Sequence, residues 1–229
     1  MDYLKDQKPR HISSTFFNAD AQHVAQMLLG KVIQVHQGAH WLMVRIIETE
    51  AYYKNEKGSH ASLGRTQSRR ALFEPPGTIY MYYARGGDSL NFSCQGKGNA
   101  VLIKSAFPVS KNTRNDPSIQ LMLENNPARD GKTRRLEKLC AGQTLLCKSL
   151  GLKVPDWNDQ QLDPDKFRLV DDGYAARRII RTTRLGIRAD RDAHLPYRFI
   201  DHEYAPFCTK NPLTVRGWRI NRDYSILEA

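Results

Sequence analysis

KVIQVHQGAHWLMVRIIETEAYY, residues 31–53, decides the architecture. Lys31 to His36 and the run HWLMVRIIE from His40 are rich in β-branched, aliphatic and aromatic residues, with Gln37-Gly38-Ala39 between them. Such side chains fit a pleated, half-buried surface, and a glycine supplies the backbone freedom that hairpin turns need. The stretch therefore predicts an antiparallel hairpin with Glu48 and Glu50 at the end of its second strand. Alternate residues of a strand share a face, so the two carboxylates, separated by Thr49, are expected to project the same way. Like charges that close raise one pKa unless a cation or hydrogen-bond donors compensate. Beside Tyr52 and Tyr53, a carboxylate in a ring-lined cleft is a candidate general base; a solvated strand end paired with arginines is the alternative.

Upstream, Asn18 or Asp20 can cap a helix whose Val24, Met27 and Leu28 share a face and which Gly30 ends. Residues 53–77 are polar and broken by Gly58, Gly64, Pro75, Pro76 and Gly77, which reads as a long loop, functional or disordered. TIYMYYA, SLNFSC and AVLIKSAFP then read as strands, the last ending at Pro108. SIQLMLEN, TRRLEKLCAG and QTLLCKSLG place apolar residues three or four apart and predict helices between 112 and 152. VPDWNDQQLDPD is a connection, and short strands are expected at 167–170, 177–181 and 197–200. Strands interspersed with grouped helices predict an α+β fold: a single mixed domain around an antiparallel sheet with surrounding helices. It spans residues 1–229, with 1–14 and 209–229 as peripheral tails.

Lys and Arg number 35 against 24 Asp and Glu, a formal charge of +11. That excess favours a polyanionic partner, nucleic acid ahead of an anionic membrane, over a merely solvated basic surface. No apolar segment has the length of a membrane span, and the start lacks the apolar core of a secretion signal, so a cytoplasmic or DNA-associated protein, in nucleoid or nucleus, is expected. Cys94, Cys140, Cys147 and Cys208 lie far apart without C-x-x-C or zinc-finger spacing. They read as reduced core residues, with no metal site.

In YMYY, Tyr80 and Tyr82 share one strand face and Tyr83 takes the other. Rings on two strands could stack on a planar base or simply pack a core. His60, in GSHASLGR, could be a stacking platform, a donor or a plain loop histidine. Arg65, Arg69 and Arg70 follow it, and Arg177, Arg178, Arg181, Arg184, Arg188 and Arg191 cluster further on. Guanidinium groups suit phosphate oxygens, although a solvated basic face would look alike. The phosphate-binding GxxxxGK[ST] loop, the dinucleotide fingerprint and HExxH are absent.

ETEAY, a histidine in the loop that follows, R-x-L-F-x-P-P-G-T-I-Y-M-Y, LNFSCQGKGNAVLIKSA and LCAGQTLLCKSLGL, with RTTRLGI and LPYRFI near the end, occur here in one order. In that order and spacing the chain resembles the alkyladenine, or 3-methyladenine, DNA glycosylases from about Thr15 to Phe207. The resemblance implies one mixed α/β domain around a curved antiparallel sheet, with no metal or organic cofactor. It also implies an enzyme that flips a damaged purine out of duplex DNA and hydrolyses its N-glycosidic bond. Carried over residue by residue, Glu50 is the base that activates water and Tyr52 stacks on the flipped base. His60 is the pocket histidine, Tyr82 the opposing wall, and Asn91 crowds the minor-groove edge of normal guanine.

Two departures stand out. Lys104 occupies the place of a family arginine that helps fix the water and the nearby phosphate, which keeps the charge but loses the planar fork. The turn YYARGGDSLN is one residue shorter than the family's, leaving Tyr83 or Arg85, or no residue, as the intercalating wedge. Arg65, Arg69, Arg181 and Arg184 are the expected phosphate contacts. The partner is double-stranded DNA carrying a damaged purine, met by a monomer without a membrane. The alternatives are a non-catalytic lesion- or RNA-binding module and a hydrolase of small nucleosides.

Overall fold

Residues 9–84, 86–110, 116–128 and 131–228 are described by a computed structural model. Strands and helices are numbered in chain order. The opening hairpin forms as expected: β2 (Val32–Gln37) pairs antiparallel with β3 (His40–Tyr52), Val35 opposite Leu42. β3 is 13 residues long and becomes the hub of the sheet. Its first half pairs with β2, and Glu48 to Glu50, in its second half, pair with β9 (Arg198–Asp201) instead. Along the other edge β6 (Ala100–Pro108) follows it from Val44 to Tyr52, with register shifts on either side of Glu48. The irregularity falls where β3 leaves one partner and takes another, so the carboxylate-bearing segment has strands on both sides and is fully buried.

β4 (Ile79–Ala84) and β5 (Gly87–Ser93) form the next hairpin and join the sheet through β6. With β1 (Arg10–His11) and β7 (Phe167–Asp171) the main order is β1-β7-β2-β3-β6-β5-β4. β8 (Arg178–Thr182) pairs β9, and β10 (Tyr224–Glu228) adds an edge strand on β8. All of these pairings are antiparallel, and the ten strands form an open sheet that does not close into a barrel. The fold is the single mixed α+β domain expected.

Helix α1 (Ala21–Leu28) starts at Asp20, whose carboxylate accepts from the Gln22 and His23 N–H groups. Its buried stripe is Ala21, Val24, Ala25 and Leu28. Met27, expected on that face, is 46% exposed, because the core-facing row falls at i, i+3, i+4 and i+7. The chain leaves α1 through Gly30 at φ +87°, where a Cβ would stand 2.5 Å from Cδ1 of Tyr174. Gly30→Ala is therefore expected to lower unfolding stability by about 1–3 kcal/mol, read as the denaturant midpoint shift in a urea titration.

α2 (Pro117–Asn125) and α3 (Gln143–Ser149) match the predicted helices. TRRLEKLCAG does not: it holds only a short 3-10 turn, Leu136–Lys138, since Leu139 and Cys140 turn inward to the core and the chain must bend to bury them. The 53–77 stretch contains two 3-10 helices, His60–Leu63 and Gln67–Phe73, and is not wholly irregular. The supposed connection at 154–165 is part of the domain. Short helix α4 (Val154–Trp157) opens it, Trp157 packs edge-on against Phe167, and Ile79 exchanges backbone hydrogen bonds with Asp159 and Gln160. The 209–229 segment is likewise no loose tail: Thr209 and Asn211 hydrogen-bond into the interior, and β10 completes the sheet edge. Residues 1–8, Arg85 and Ala229 lie outside the described residues.

All four cysteines are buried and unpaired, and burial pushes their thiols up, Cys140 to about 12. Among the described residues no helix is long and apolar enough to cross a membrane, and no cluster of three His, Cys, Asp or Glu could hold a metal.

Candidate active site

The strands β3, β4, β5 and β6 lie side by side, so residues far apart in sequence meet on one sheet face. Asn91 pairs with Tyr80 on one side and Leu102 on the other, and Leu102 pairs with Glu50. Over this floor lies a cavity of about 340 Å³ whose lining includes Tyr52, His60, Tyr80, Tyr82, Asn91 and Lys104. The alternation expected of YMYY holds. Tyr80 and Tyr82 both face the cavity with ring centroids 5.6 Å apart, while Tyr83 is 68% exposed at the end of β4.

Glu50 sits beneath this cavity with no exposed surface. The Tyr52 hydroxyl donates to its Oε2 at 2.7 Å, the Leu185 N–H donates to Oε1 at 3.2 Å, and Lys104 Nζ stands 3.3 Å from Oε1. All three partners line the cavity. Burial alone would raise the carboxyl's pKa, but the charges of Lys104 and Arg198 and the two hydrogen bonds outweigh it and hold Glu50 below its ordinary value. Tyr52 is pushed the other way, first by burial and then by the negative charge of Glu50, so it remains a phenol that donates. Glu50 is thus an ionised carboxylate in a site that would otherwise favour the acid.

The opposite wall is aromatic. His60 Nδ1 lies 2.9 Å from the Tyr80 hydroxyl, and its ring meets Tyr82 edge-on at 4.4 Å between centroids. One edge of the imidazole is open at the rim. The protein behind it desolvates the ring, and with help from Arg69 and Arg191 its pKa is lowered, so the histidine is neutral at pH 7. Asn91 donates through Nδ2 to the Tyr80 carbonyl at 3.0 Å, which orients the side chain along the cavity floor.

The arginines separate into different duties. Arg65 is exposed and paired with Glu74 at 3.0 Å, and Arg69 donates to the Leu63 and Gly64 carbonyls, bracing the loop beyond His60. Arg181 donates to the Pro196 carbonyl and is not part of the cavity. Arg184 departs most from expectation: its side chain is fully buried, bonded to the Ala51 carbonyl and paired with Glu56. Its guanidinium lies 4.5 Å from the Tyr52 ring centroid. In that position it supports Tyr52 and presents nothing to a phosphate. Arg188 and Arg191, which the sequence left undistinguished within their cluster, line the cavity instead. Arg191 Nε donates to the Lys57 carbonyl at 2.7 Å, and the chain there passes close to Gly58, where a Cβ would meet the Arg191 carbonyl at 3.0 Å.

Two contributors carried no signal in the sequence. Gln143, the first residue of α3, reaches the Ser89 hydroxyl at 3.0 Å and the Tyr82 hydroxyl at 3.4 Å. Leu185 contributes only its backbone N–H, which any residue but proline could supply. Glu48, expected beside Glu50, spends its own oxygens on a buried network with Arg198, Ser105 and Thr209.

An ionised carboxylate beneath a ring-walled cavity, in a chain of strong positive charge, is the kind of arrangement a hydrolase of nucleic acid would need. Residues 15–205 match the family model of the methylpurine-DNA glycosylases, and the chain belongs to that family. A protein of Pseudomonas savastanoi pv. phaseolicola named as a candidate 3-methyladenine DNA glycosylase is 58% identical over 220 residues, 96% of this chain and 98% of its own. Its namesake in Pseudomonas aeruginosa is 55% identical over 95% of this chain and 91% of its own. One from Koribacter versatilis is 31% identical over 81% and 86%. The protein is accordingly an N-glycosylase, a hydrolase of DNA repair.

Proposed function

We propose that the chain excises alkylated purines, 3-methyladenine and 7-methylguanine first, from duplex DNA by flipping the damaged nucleotide into the Tyr52–Tyr82 cavity and directing water at C1′. The observation that carries this reading is Glu50, a carboxylate held ionised directly under that cavity. The cavity lies within the range of about 300–1,000 Å³ usual for small-molecule sites. Alkylation at N3 or N7 makes the base a cationic leaving group that departs with little acid assistance. What the protein must supply is extrusion, a placed nucleophile and negative charge near a sugar that turns cationic.

In this mechanism a carboxylate oxygen accepts two hydrogen bonds, so Oε2, already bonded to Tyr52, takes the proton of the attacking water through its second lone pair. The charge of Glu50 also stabilises the oxocarbenium-like sugar. Tyr52 and Tyr82 stack on the extruded base, neutral His60 meets its edge, and Asn91 crowds the exocyclic amine of normal guanine. Lys104 serves as counter-ion to Glu50 and not as an amine nucleophile, so the product is an abasic site in an unbroken strand. Arg65, Arg69, Arg188 and Arg191 take phosphates around the mouth, Tyr83 is the exposed ring placed to enter the duplex, and the protein acts as a monomer without metal or cofactor.

Incubation with methylated duplex DNA, followed by chromatography of the released bases, tests the reading. Free 3-methyladenine or 7-methylguanine is expected. Tight lesion binding without release beyond a Glu50→Gln control would instead make it a non-catalytic lesion binder. Stacking is tested separately. In the Glu50→Gln background, Tyr82→Ala is expected to weaken binding to a lesion duplex by about 1–3 kcal/mol, read as the change in Kd by fluorescence titration.

A further inference from the structure

Glu50 is directly opposite Arg198 in the β3–β9 register, and cross-strand partners project to the same sheet face. Arg198 is fully buried. Its Nε donates to Glu48 Oε1 at 2.7 Å, and its Nη2 donates to Thr209 Oγ1 at 3.1 Å and to the Lys210 carbonyl at 2.8 Å. Nη1 is buried and has no hydrogen-bond partner among the described residues. Glu48, by contrast, is saturated. Besides Arg198 it accepts from the Ser105 hydroxyl at 2.5 Å, the Thr209 N–H at 3.1 Å and the Thr209 hydroxyl at 2.6 Å.

The guanidinium is therefore fixed by one carboxylate of β3 while standing level with the other. A buried ion pair is weak evidence of a gain in stability, because well-packed apolar residues commonly serve as well or better. Its position beneath the Glu50 cavity asks for an electrostatic reason.

We propose that Arg198 and Glu48 are a positioning pair for hydrolysis, in which Glu48 anchors Arg198 as the second counter-ion, besides Lys104, that keeps Glu50 ionised. The proposal rests on Glu50 being the base. Among the described residues, the charged and titratable groups around Glu50 are Lys104 from β6, Tyr52 and, two residues back on the same strand, Glu48, and Arg198 opposite it on β9. Beyond Tyr52 stands Arg184, already paired with Glu56. The inner set balances two carboxylates against two cations. Removing Arg198 alone leaves Glu48 and Glu50 sharing one ammonium, which favours protonation of Glu50; removing both members restores one carboxylate to one cation. The direction of the Glu50 shift agrees: burial opposes ionisation, Lys104 favours it, and Arg198 is the next contributor.

The test follows Glu48→Gln, Arg198→Gln and the double variant by two readouts. One is the pH below which single-turnover excision falls; the other is the titration of the Glu50 carboxyl carbon by 13C NMR, assigned with Glu50→Gln. Arg198→Gln is expected to move both midpoints up by about one pH unit or more. The double variant, which loses more hydrogen bonds, returns most of the way to wild type, and Glu48→Gln lies at or below wild type. A purely structural pair predicts the reverse ranking, with the double variant the most disturbed.

An unshifted midpoint in Arg198→Gln, or a double variant shifted as far as the single, overturns the proposal. Where Arg198→Gln does not fold, the double variant must still titrate above Glu48→Gln, and coincidence of those two overturns it equally. The NMR midpoint reports on the counter-ions whether or not Glu50 is the base. Undiminished excision by Glu50→Gln would remove the base assignment by itself.

Discussion

Glu50→Gln is expected to lower single-turnover excision of a methylated purine by about 10²–10⁴-fold, with lesion-duplex affinity unchanged within a few-fold. The replacement preserves volume and can keep the local bonds. The amide oxygen can face the Leu185 N–H and Lys104, and the amide nitrogen can donate to the Tyr52 hydroxyl once that hydroxyl turns to accept. What is lost is the negative charge that takes a proton from water and faces the sugar cation. The measurement is the rate of alkali-labile site formation in a lesion duplex with enzyme in excess, beside a binding titration of the same duplex. A rate within tenfold of wild type would reject Glu50 as the base.

Arg184→Met is expected to cost about 3–5 kcal/mol of unfolding free energy. It breaks a pair with no solvent access on the arginine side and leaves Glu56, only 7% exposed, without its cation. Burial already holds the Glu56 carboxyl above its ordinary value despite Arg184, and without the arginine it rises further. A carboxyl whose folded pKa is raised gives stability that is complete below its unfolded pKa and is lost as pH climbs through the folded value. The deficit of the variant should therefore be smaller near about pH 5 than near about pH 8. Urea titrations at both ends check the size and the slope, and equal deficits would refute the burial argument. Glu56→Gln added to Arg184→Met should recover part of the loss, since no charge is then stranded. Excision should fall as well, because the guanidinium sits 4.5 Å from the Tyr52 ring that lines the cavity.

Where local pattern and tertiary environment ask for the same thing, the sequence can be read directly. The Val32–Gln37 and His40–Tyr52 hairpin, the three strands from Ile79 to Pro108, and the opposite faces of Tyr82 and Tyr83 are period-two features, visible without knowing what packs above them. Glu50, Tyr52, Lys104 and Asn91 are gathered in the sequence only by their place in family-like motifs, and the structure sets them on strands that pair with one another. The misreadings share a cause. Arg184 and Arg188 look alike in a run of arginines, yet one is sealed under Tyr52 and the other lines the cavity. TRRLEKLCAG has helical spacing, but Leu139 and Cys140 are drawn into the core past a single 3-10 turn. Tyr224–Glu228 is an edge strand whose five residues find their register only against Arg178–Thr182.

By itself the sequence determined the class of fold and the positive charge that a DNA substrate demands, because periodicity and net charge are properties of the chain, and it nominated Glu50 as the reacting group only through its resemblance to a family. The tertiary structure alone decided that Glu50 is ionised while buried, that Glu48 serves Arg198, and which arginines face outward. Those outcomes depend on desolvation and on charges brought within a few ångströms from β6, β9 and the loop after β8, and no stretch of sequence contains that distance.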